Sequence, residues 1–328
     1  MHLADAVDTI IEAPIVSSFT RIGYDVRSRL DHWTPLSSYD LHGRTVLITG
    51  ATSGLGLATA ETLGRCGAAV ILLGRDAAKT ERVRKQLVSI TGSEDFRTVV
   101  ADMGDRAAVR RAAHEIMDTH DRLDTVVHNA GALSPMRKAN TDGIETTVAS
   151  QVLGPFLLTG LLLGTLRACA PARVIAMSSG GMYATGLTVD NLEIGDDYKG
   201  ADQYARAKRA QVTLNEMWAD RLAGQGVVFH AVHPGWADTP GVEASLPTFR
   251  RIVGPLLRTP AQGADTVTWL VADAGPPLQT TGKFWLDRRP RPIHKLPTTR
   301  RTDTPQRRAQ LWEWCMKNSG LDPRALQP

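Results

Sequence analysis

The chain has 328 residues, 42% of them hydrophobic, with a formal net charge of +4, a size that allows one large α/β domain or two small ones. The small net charge gives no reason to expect a nucleic-acid partner, and 22% charged residues are ordinary for a globular protein with a large core. The three cysteines are far apart and lack metal-site spacing, so they indicate a reducing compartment without disulfides.

The first 43 residues precede the regular part of the chain and form an extension. Asp5, Asp8 and Glu12 stand where a secretory signal would be apolar, so this start does not resemble one. Residues 17–33, SSFTRIGYDVRSRLDHW, mix apolar and charged side chains and are predicted to form an amphipathic helix.

From residue 44, short apolar strands alternate with helical segments. Continuous apolar strands separated by helices are typical of a parallel sheet that is covered on both faces. We therefore predict one α/β domain with a doubly wound parallel sheet, a Rossmann fold, at residues 44–286, with ligands at the carboxyl ends of the strands. The predicted strands are 44–50, 68–74, 98–103, 124–131, 172–179, 227–235 and, last, 282–287.

Residues 152–166, VLGPFLLTGLLLGTL, are the most apolar stretch of the chain. They are shorter than the roughly 20 residues that a membrane-spanning helix needs. Arg167 ends the stretch. We predict a buried helix.

A glycine-rich loop, TGATSGLG, joins the first predicted strand to the helix that follows it. It contains Gly50, Gly54 and Gly56. Glycines let the backbone turn tightly and approach a pyrophosphate, which rests on the N-terminus of the next helix. The loop therefore predicts a dinucleotide site.

The end of the second strand, LLGRD, bears on the choice of cofactor. NAD enzymes carry Asp or Glu there for the ribose 2′-hydroxyl, whereas NADP enzymes need room and a cation for the 2′-phosphate. Here Gly74 ends the strand and Arg75 follows, and a guanidinium pairs well with phosphate. Asp76 comes one position too late and is predicted to cap the next helix. These residues predict NADP(H).

Several motifs then occur in order: TGATSGLG, HNAG at 128–131, SS at 178–179, YARAK at 204–208 and HPGWADT at 233–239. Together they resemble the short-chain dehydrogenase/reductase family in its standard, non-extended form, over residues 44–286. The longer segments SSGGM, HPGWADTPGV and AQGADT resemble a narrower group, the dehydrogenase/reductase SDR family member 12-like proteins, which are near the retinol dehydrogenases.

This resemblance implies a role for individual positions. Ser179 matches the catalytic serine, Tyr204 the acid/base and Lys208 its partner, and the last two also contact the cofactor. The segment after residue 233 resembles the part that holds the nicotinamide carboxamide. The other cofactor-binding residues that the loop, the strand end and the resemblance imply are Gly50, Thr52, Ser53, Gly54, Leu55, Gly56, Arg75, Asp102, Met103, Asn129, Ala130, Gly131, Pro234, Gly235, Trp236 and Thr239.

Carbonyl reduction delivers a hydride to carbon and a proton to oxygen, and its proton donor needs a pKa near neutrality to act in both directions. A free tyrosine has a pKa of about 10, which a nearby ammonium and a positive nicotinamide would lower. Tyr204 and Lys208 are four residues apart and share one face of a predicted helix. Ser179, at a strand end, can hydrogen-bond the substrate oxygen. We predict an NADP(H)-dependent carbonyl reductase or alcohol dehydrogenase.

One position departs from the family pattern. Gln151 stands in SQVLGPF where the family has Asn, a residue that helps to route a proton through water to the lysine. A backbone carbonyl does part of that work and Gln keeps an amide, so we expect activity to persist and count Gln151 with the catalytic residues. The departure also motivates an alternative, a catalytically weak nucleotide-binding relative that acts as a scaffold or redox sensor. The glycine spacing argues against a third hypothesis, a sugar-nucleotide epimerase.

An apolar stripe at helical spacing follows Thr239 and is expected to cover the substrate. Such a lid suits a lipophilic alcohol or ketone, although the stripe could equally well pack on the core. TPAQGADTVTWLV is then predicted to form a capped helix with Pro260 in its first turn. The residues of the stripe are Leu246, Phe249, Ile252, Val253, Leu256 and Leu257.

Residues 287–328 form a basic extension with ten basic and four acidic residues, a net charge of +6. Two interpretations stay open: a solvated tail that wraps around the domain, or contact with an anionic membrane surface, where each basic residue strengthens binding by about 1 kcal/mol.

The expected location of the protein is the cytoplasm, with possible association with a membrane. A helix such as 142–167 often forms a dimer face in the family, and the flanking segments could block or extend it, so a homodimer also stays open. No metal is expected.

Overall fold

Eight strands form one central sheet in the computed structural model, which describes residues 3–245 and 247–327. The strands are Thr45–Thr49 (β1), Ala69–Gly74 (β2), Phe96–Val100 (β3), Thr125–His128 (β4), Ala172–Met177 (β5), Val227–Val232 (β6), Lys283–Leu286 (β7) and Arg289–Arg291 (β8). Their order is β3-β2-β1-β4-β5-β6-β7-β8, with β1 to β7 parallel. The chain crosses from β3 to β4 on the other side of β1, so the sheet is doubly wound. The predicted Rossmann fold is confirmed.

The strand predicted at 282–287 is present as β7, but the prediction that it is the last strand is wrong. Asp287 and Arg288 have φ angles of 54° and 55°, and two consecutive left-handed residues make a tight turn of the kind that joins hairpin strands. The chain therefore reverses, and β8 pairs antiparallel to β7 with Leu286 opposite Arg289. The sequence Arg-Arg-Pro-Arg has none of the apolar pattern from which the other strands were predicted.

Helices cover both faces of the sheet. They are Leu3–Glu12 (α1), Ile15–Phe19 (α2), Arg21–Leu30 (α3), Gly54–Arg65 (α4), Ala77–Thr91 (α5), Arg106–Thr119 (α6), Thr146–Val148 (α7), Gly154–Ala168 (α8), Gly200–Arg221 (α9), Pro240–Ser245 (α10), Pro247–Val253 (α11), Pro260–Ala272 (α12), Pro276–Gln279 (α13), Pro297–Thr302 (α14) and Pro305–Ser319 (α15). Short 3-10 turns occur at Leu36–Ser38, Gly180–Ala184, Gly254–Leu256 and Pro323–Leu326.

Two apolar cores lie on opposite faces of the sheet. Helices α4, α5 and α12 build one of them, where Leu63 and Leu270 are fully buried. Helices α6, α8, α9 and α15 build the other, around Phe156 and Leu214. The central parallel strands β1, β2, β4, β5 and β6 are buried from both sides, which explains why they could be found from continuous apolar runs, whereas the edge strand β3 is partly exposed.

Helices α7 and α8 are joined by a π-helical turn at Ala149–Leu153 into one helical segment, Thr146–Ala168. By length and composition alone this segment could cross a membrane, but 83% of its apolar window is buried inside the protein. The prediction of a buried helix at 152–166 is therefore confirmed. The π turn includes Gln151.

The amphipathic helix expected within residues 17–33 is present as α3, but it does not include residues 17–20. Helix α2 ends at Phe19, and α3 begins at Arg21. Between them Thr20 is fully buried and has extended backbone angles. Its carbonyl oxygen accepts a hydrogen bond from the Arg258 guanidinium, a partner that is distant in sequence and that competes with continuation of the helix.

The basic extension is largely engaged within the protein. Arg289 pairs with Asp31 and Arg291 with Asp8, each at 2.6 Å, so the first basic side chains bind the N-terminal helices. Arg308, on α15, pairs with Asp303 and Glu216. The cationic surface available to a membrane or another partner is smaller than the sequence indicated.

Candidate active site

The glycine loop turns directly after β1 and leads into α4. Gly50 and Gly54 have φ angles of +67° and +55°, which L side chains rarely adopt. Gly56 has no space for a side chain, because a Cβ there would lie 2.5 Å from the Gly50 carbonyl oxygen. The tight turn brings the backbone to the start of α4, as the sequence predicted for a dinucleotide loop.

The residues of this loop fit a pyrophosphate. The first N–H groups of a helix lack partners within the helix, and the Ser53 side chain does not cap those of α4. They remain available to a phosphate, which the positive end of the helix dipole also attracts. Thr239, from the Pro-Gly segment, closes the same space: a Cβ on Gly54 would lie 3.3 Å from the Thr239 Cβ. The glycine loop, the first turn of α4 and Thr239 therefore form a site that suits the pyrophosphate of a nicotinamide dinucleotide.

Asn129 braces the glycine loop from the end of β4. Its side-chain amide donates hydrogen bonds to the carbonyl oxygens of Thr49 and Gly50, both at 3.1 Å. The backbone N–H groups of Asn129 and Ala130 donate to the Thr49 hydroxyl at 3.0 Å. These bonds tie β1 to β4 at their carboxyl ends, beside Gly131.

The end of β2 presents Arg75 to solvent next to this loop. Gly74 is tightly packed, since a Cβ there would lie 3.0 Å from Thr52 Cγ2. The Arg75 side chain is exposed and makes no hydrogen bond or ion pair with any residue in the described part of the chain. Asp76 caps α5 by accepting from the Lys79 N–H at 2.8 Å, as predicted, so it is not directed at a ribose.

Three of the predicted cofactor residues have side chains in packing contacts. Leu55 lies against Gly263 of α12, Met103 is buried in the core, and Trp236 packs edge-on against Phe19 with 5.9 Å between ring centres. These three would contribute backbone atoms rather than side chains. Asp102, next to Met103, is exposed and accepts from the Gly104 N–H at 2.8 Å.

Ser179 follows β5 and begins a short 3-10 turn. Its hydroxyl accepts a hydrogen bond from the Gly181 N–H at 3.2 Å. The hydroxyl also faces the Tyr204 phenol, where it acts to lower the pKa of the tyrosine. Tyr204 lies near the start of α9, and Lys208 follows one turn later.

Tyr204 and Lys208 share one face of α9, with the Lys208 ammonium nitrogen 5.3 Å from the centre of the tyrosine ring. Lys208 is buried and donates to the Met177 carbonyl oxygen at 2.8 Å. Burial lowers the pKa of Lys208 to about 7. Burial thus disfavours the charged ammonium form of the lysine.

The pKa of Tyr204 differs from the sequence expectation. Burial raises it to about 12, and only the Ser179 hydroxyl opposes this shift. Lys208, whose own pKa burial lowers to about 7, does not offset this shift in the protein without cofactor. To form the Tyr204 phenolate near neutral pH, a further positive charge must lie close to the phenol oxygen.

Gln151 lies on the π turn beside this pair. Its side-chain amide donates to the Ala132 carbonyl oxygen at 2.7 Å, while its Oε1 is buried without a hydrogen-bond partner among the described residues. A Cβ on Gly131 would lie 3.0 Å from that oxygen and 3.4 Å from the Lys208 Nζ. The structure thus brings Gln151, Gly131 and Lys208 together.

The predicted substrate stripe does not form one continuous helical face. Leu246 lies outside the described residues. Ile252 is exposed and Leu257 is buried, while Phe249 packs edge-on against Trp236 at 5.0 Å. Helices α10 and α11 and a 3-10 turn divide the segment. The capped helix after it, α12, is confirmed, with Thr259 in a capping box and Pro260 at the first turn.

Sequence reasoning missed the contacts that hold the Pro-Gly segment after β6. Arg258 is buried, and its guanidinium fills the space beside Gly235, whose φ is +74°. The same guanidinium donates to the carbonyl oxygen of Phe19 and to the Asp287 carboxylate. The only available signal was a single arginine in the apolar run VGPLLRTP.

Comparison with known proteins agrees with this geometry. The family model for short chain dehydrogenases matches residues 44–248. Dehydrogenase/reductase SDR family member 12 from Bos taurus is 34% identical over 296 residues, 90% of this chain and 92% of that protein. Human retinol dehydrogenase 14 is 34% identical over 71% of this chain and 75% of its own. A short chain dehydrogenase of Escherichia coli CFT073, solved with NADPH, aligns with a TM-score of 0.62 and 26% identity over 76% of this chain and 98% of its own.

The chain therefore belongs to the short-chain dehydrogenase family, whose members are oxidoreductases that use NAD(P). The resemblance to the member 12 group and to the retinol dehydrogenases, predicted from the motifs, is confirmed.

Proposed function

We propose that this chain is an NADP(H)-dependent oxidoreductase that interconverts a carbonyl and an alcohol on a lipophilic substrate. The convergence of Ser179, Tyr204 and Lys208 beside the glycine loop carries the proposal. Bound NADPH supplies the hydride. The protein's own residues bind and orient the substrate oxygen and exchange a proton with it.

Tyr204 is the proposed acid/base. In reduction its Oη donates a proton to the carbonyl oxygen, and in oxidation the phenolate takes the proton from the alcohol. The Ser179 hydroxyl donates a hydrogen bond to the same oxygen and holds it in reach of Tyr204. The half-buried position of the phenol at the carboxyl ends of the strands supports this assignment.

Lys208 has two proposed roles. Its Nζ binds the ribose hydroxyls on the nicotinamide side, and its charge stabilises the phenolate. Because its own pKa is about 7, a negative phenolate nearby favours the ammonium form. Gln151, with a free Oε1 near Lys208, is proposed to hold water that returns a proton to the lysine. Its backbone carbonyl can share this role.

The proposed preference for NADP(H) over NAD(H) rests on Arg75. Its exposed guanidinium follows the tightly packed Gly74, where a 2′-phosphate would need a cation. The NADPH complex of the Escherichia coli dehydrogenase supports the proposal by likeness.

A lipophilic substrate is supported by two features. Apolar side chains such as Phe249 and Leu257 lie in the segment after Thr239, and a retinol dehydrogenase is among the relatives.

We further propose that residues 44–286 form the dehydrogenase domain and that 1–43 and 287–328 are extensions. The three cysteines are free and buried, which supports a cytoplasmic location. Any membrane contact would be peripheral.

A nucleotide-binding scaffold or redox sensor is the second candidate. Gln151 at the usual Asn position and a Tyr204 pKa of about 12 favour it, because both disfavour proton transfer.

One experiment distinguishes the two candidates. It measures NADPH consumption by the full chain with a panel of retinoid, steroid and fatty aldehydes and ketones, with NADH as control. We expect turnover with at least one hydrophobic carbonyl and NADPH. Tight NADPH binding without turnover across the panel would favour the scaffold, and preference for NADH would contradict the role of Arg75.

A further inference from the structure

A short N-terminal segment, Ser18–Thr20, is built into the region around the Pro-Gly turn. All three residues are almost fully buried. The Phe19 carbonyl oxygen accepts hydrogen bonds from the Trp236 N–H at 2.7 Å and from the Arg258 Nε at 3.1 Å. The segment lies outside residues 44–248, the part of the chain that matches the family model.

The turn at 234–238 is held on one side by this segment and by Arg258. The Arg258 guanidinium donates to the Pro234 carbonyl oxygen at 3.3 Å. The backbone N–H of Arg258 donates to the Trp236 carbonyl oxygen, and the Arg258 carbonyl oxygen accepts from the Asp238 N–H, both at 2.8 Å. Gly235 cannot carry a side chain there because the guanidinium occupies the space. The backbone hydrogen bonds between Arg258 and the turn therefore hold the turn from a part of the chain outside β6.

The Phe19 ring contacts both segments that flank the proposed reaction site. It packs edge-on against His233 with 4.3 Å between ring centres. It also lies against Gly180, where a Cβ would be 2.6 Å from Phe19 Cε2. Gly180 directly follows Ser179. One aromatic ring therefore supports the serine loop and the Pro-Gly turn together.

Buried charges fix the segment in place. Asp287 is fully buried and binds Arg258 and Arg27, the latter on α3. Arg27 also donates to the Ser18 carbonyl oxygen at 3.0 Å. Leaving one of these buried charges unpaired is strongly unfavourable, so the N-terminal helices remain docked on the Pro-Gly turn.

We propose that Phe19 is a positioning residue for the active site, acting through the Pro234–Trp236 turn and the Ser179–Gly180 loop. The N-terminal extension therefore contributes to the geometry of the active site of the oxidoreductase. The inference rests on the proposed function, since the turn is assigned to the nicotinamide end of NADP(H). Loss of the ring would loosen the turn and weaken the alignment of cofactor and substrate oxygen, where small displacements are costly.

The test compares Phe19→Ala with Leu311→Ala, which removes a fully buried side chain from α15 in the core around Phe156 and Leu214, a cluster that does not include Phe19. Both variants are expected to lower Tm. Only Phe19→Ala should weaken NADPH binding, by about tenfold, and lower kcat by about tenfold or more, as expected for misplacement near the chemistry. Amide exchange at 233–238 should rise in Phe19→Ala alone. Phe19→Leu, which keeps an apolar side chain, should recover most of the binding and covers the case in which Phe19→Ala does not fold.

Unchanged NADPH affinity and unchanged exchange in Phe19→Ala would overturn the proposal, as would equal losses in Leu311→Ala. NADPH affinity and amide exchange need no substrate. If the wild-type chain shows no turnover, the proposed function fails, and these two measurements still decide whether Phe19 positions the turn.

Discussion

The Lys208 ammonium nitrogen lies 5.3 Å from the centre of the Tyr204 ring and is held there by a hydrogen bond to the Met177 carbonyl oxygen. Burial shifts the pKa values of the two groups in opposite directions, to about 7 for the lysine and about 12 for the tyrosine. Both shifts favour the neutral forms. A bound oxidised cofactor, which carries a positive ring, would favour the phenolate and, through it, the charged lysine.

The pH dependence of the two reaction directions follows from this pair. Oxidation needs the phenolate, so kcat/KM for an alcohol should rise with pH up to the pKa of Tyr204 in the complex with oxidised cofactor. Reduction needs the phenol and should be lost only above the pKa of Tyr204 in the complex with reduced cofactor, which is higher because the reduced nicotinamide ring carries no positive charge. Lys208→Met removes the charge that stabilises the phenolate and should move the oxidation midpoint to higher pH by about 1 unit or more.

Lys199→Met is the matched control, since Lys199 is exposed at the start of the same helix. It should leave the pH profile in place. A profile for oxidation that falls with rising pH, or one that Lys208→Met does not move, would contradict the assignment of the acid/base.

Arg75 should decide cofactor preference. Arg75→Asp replaces the cation by a carboxylate that repels the 2′-phosphate and can accept from a ribose hydroxyl. NADPH affinity should fall by roughly 10- to 100-fold, the worth of a hydrogen bond between charged groups, with little loss for NADH. Arg82→Asp, a change of the same charge at an exposed position on α5, should have a small effect on both. Equal losses in the two variants would indicate only a general charge effect.

Gln151 should support catalysis without being indispensable. Its Oε1 lies near Lys208 and has no hydrogen-bond partner in the described part of the chain, and its backbone carbonyl survives substitution. Gln151→Asn should keep kcat within a few-fold, whereas Gln151→Leu should lower it by about tenfold, the worth of one hydrogen bond. A Gln151→Leu variant with full activity would remove the side chain from the mechanism.

Helix α15 should keep the chain monomeric. Trp312, on α15, packs against Phe156 and Trp218 with ring centres 5.0 and 4.8 Å apart. It covers part of α8, which overlaps the helix at 142–167 on which a homodimer was considered from the sequence. Light scattering of the full chain should give the mass of one chain, and Leu311→Arg, which undocks α15, should produce larger particles. A stable two-chain mass for the wild type would contradict this account.

The sequence was informative where one local pattern determines structure. Apolar runs marked the parallel strands, and Gly50 and Gly54 marked a turn that needs left-handed backbone. Strand β8 was missed because it forms by pairing with β7 after the turn at Asp287 and Arg288, not through its own pattern. The Phe19–Arg258 contact joins residues 239 positions apart, and no local pattern predicts such a pairing.

The pKa of Tyr204 could not be predicted from spacing either. The spacing of four positions from Tyr204 to Lys208 predicted a shared helical face, which the structure has. The burial that raises the tyrosine and lowers the lysine depends on the surrounding tertiary packing.

The central claim is that Tyr204 transfers the proton at a site that binds NADP(H), and Tyr204→Phe tests it most directly. The measurement is NADPH consumption with the best hydrophobic carbonyl of the panel, together with NADPH affinity of the same sample. We expect turnover to fall by about 100-fold or more, the range for loss of a general acid, with NADPH affinity unchanged within a few-fold. Turnover equal to that of the wild type would contradict the account.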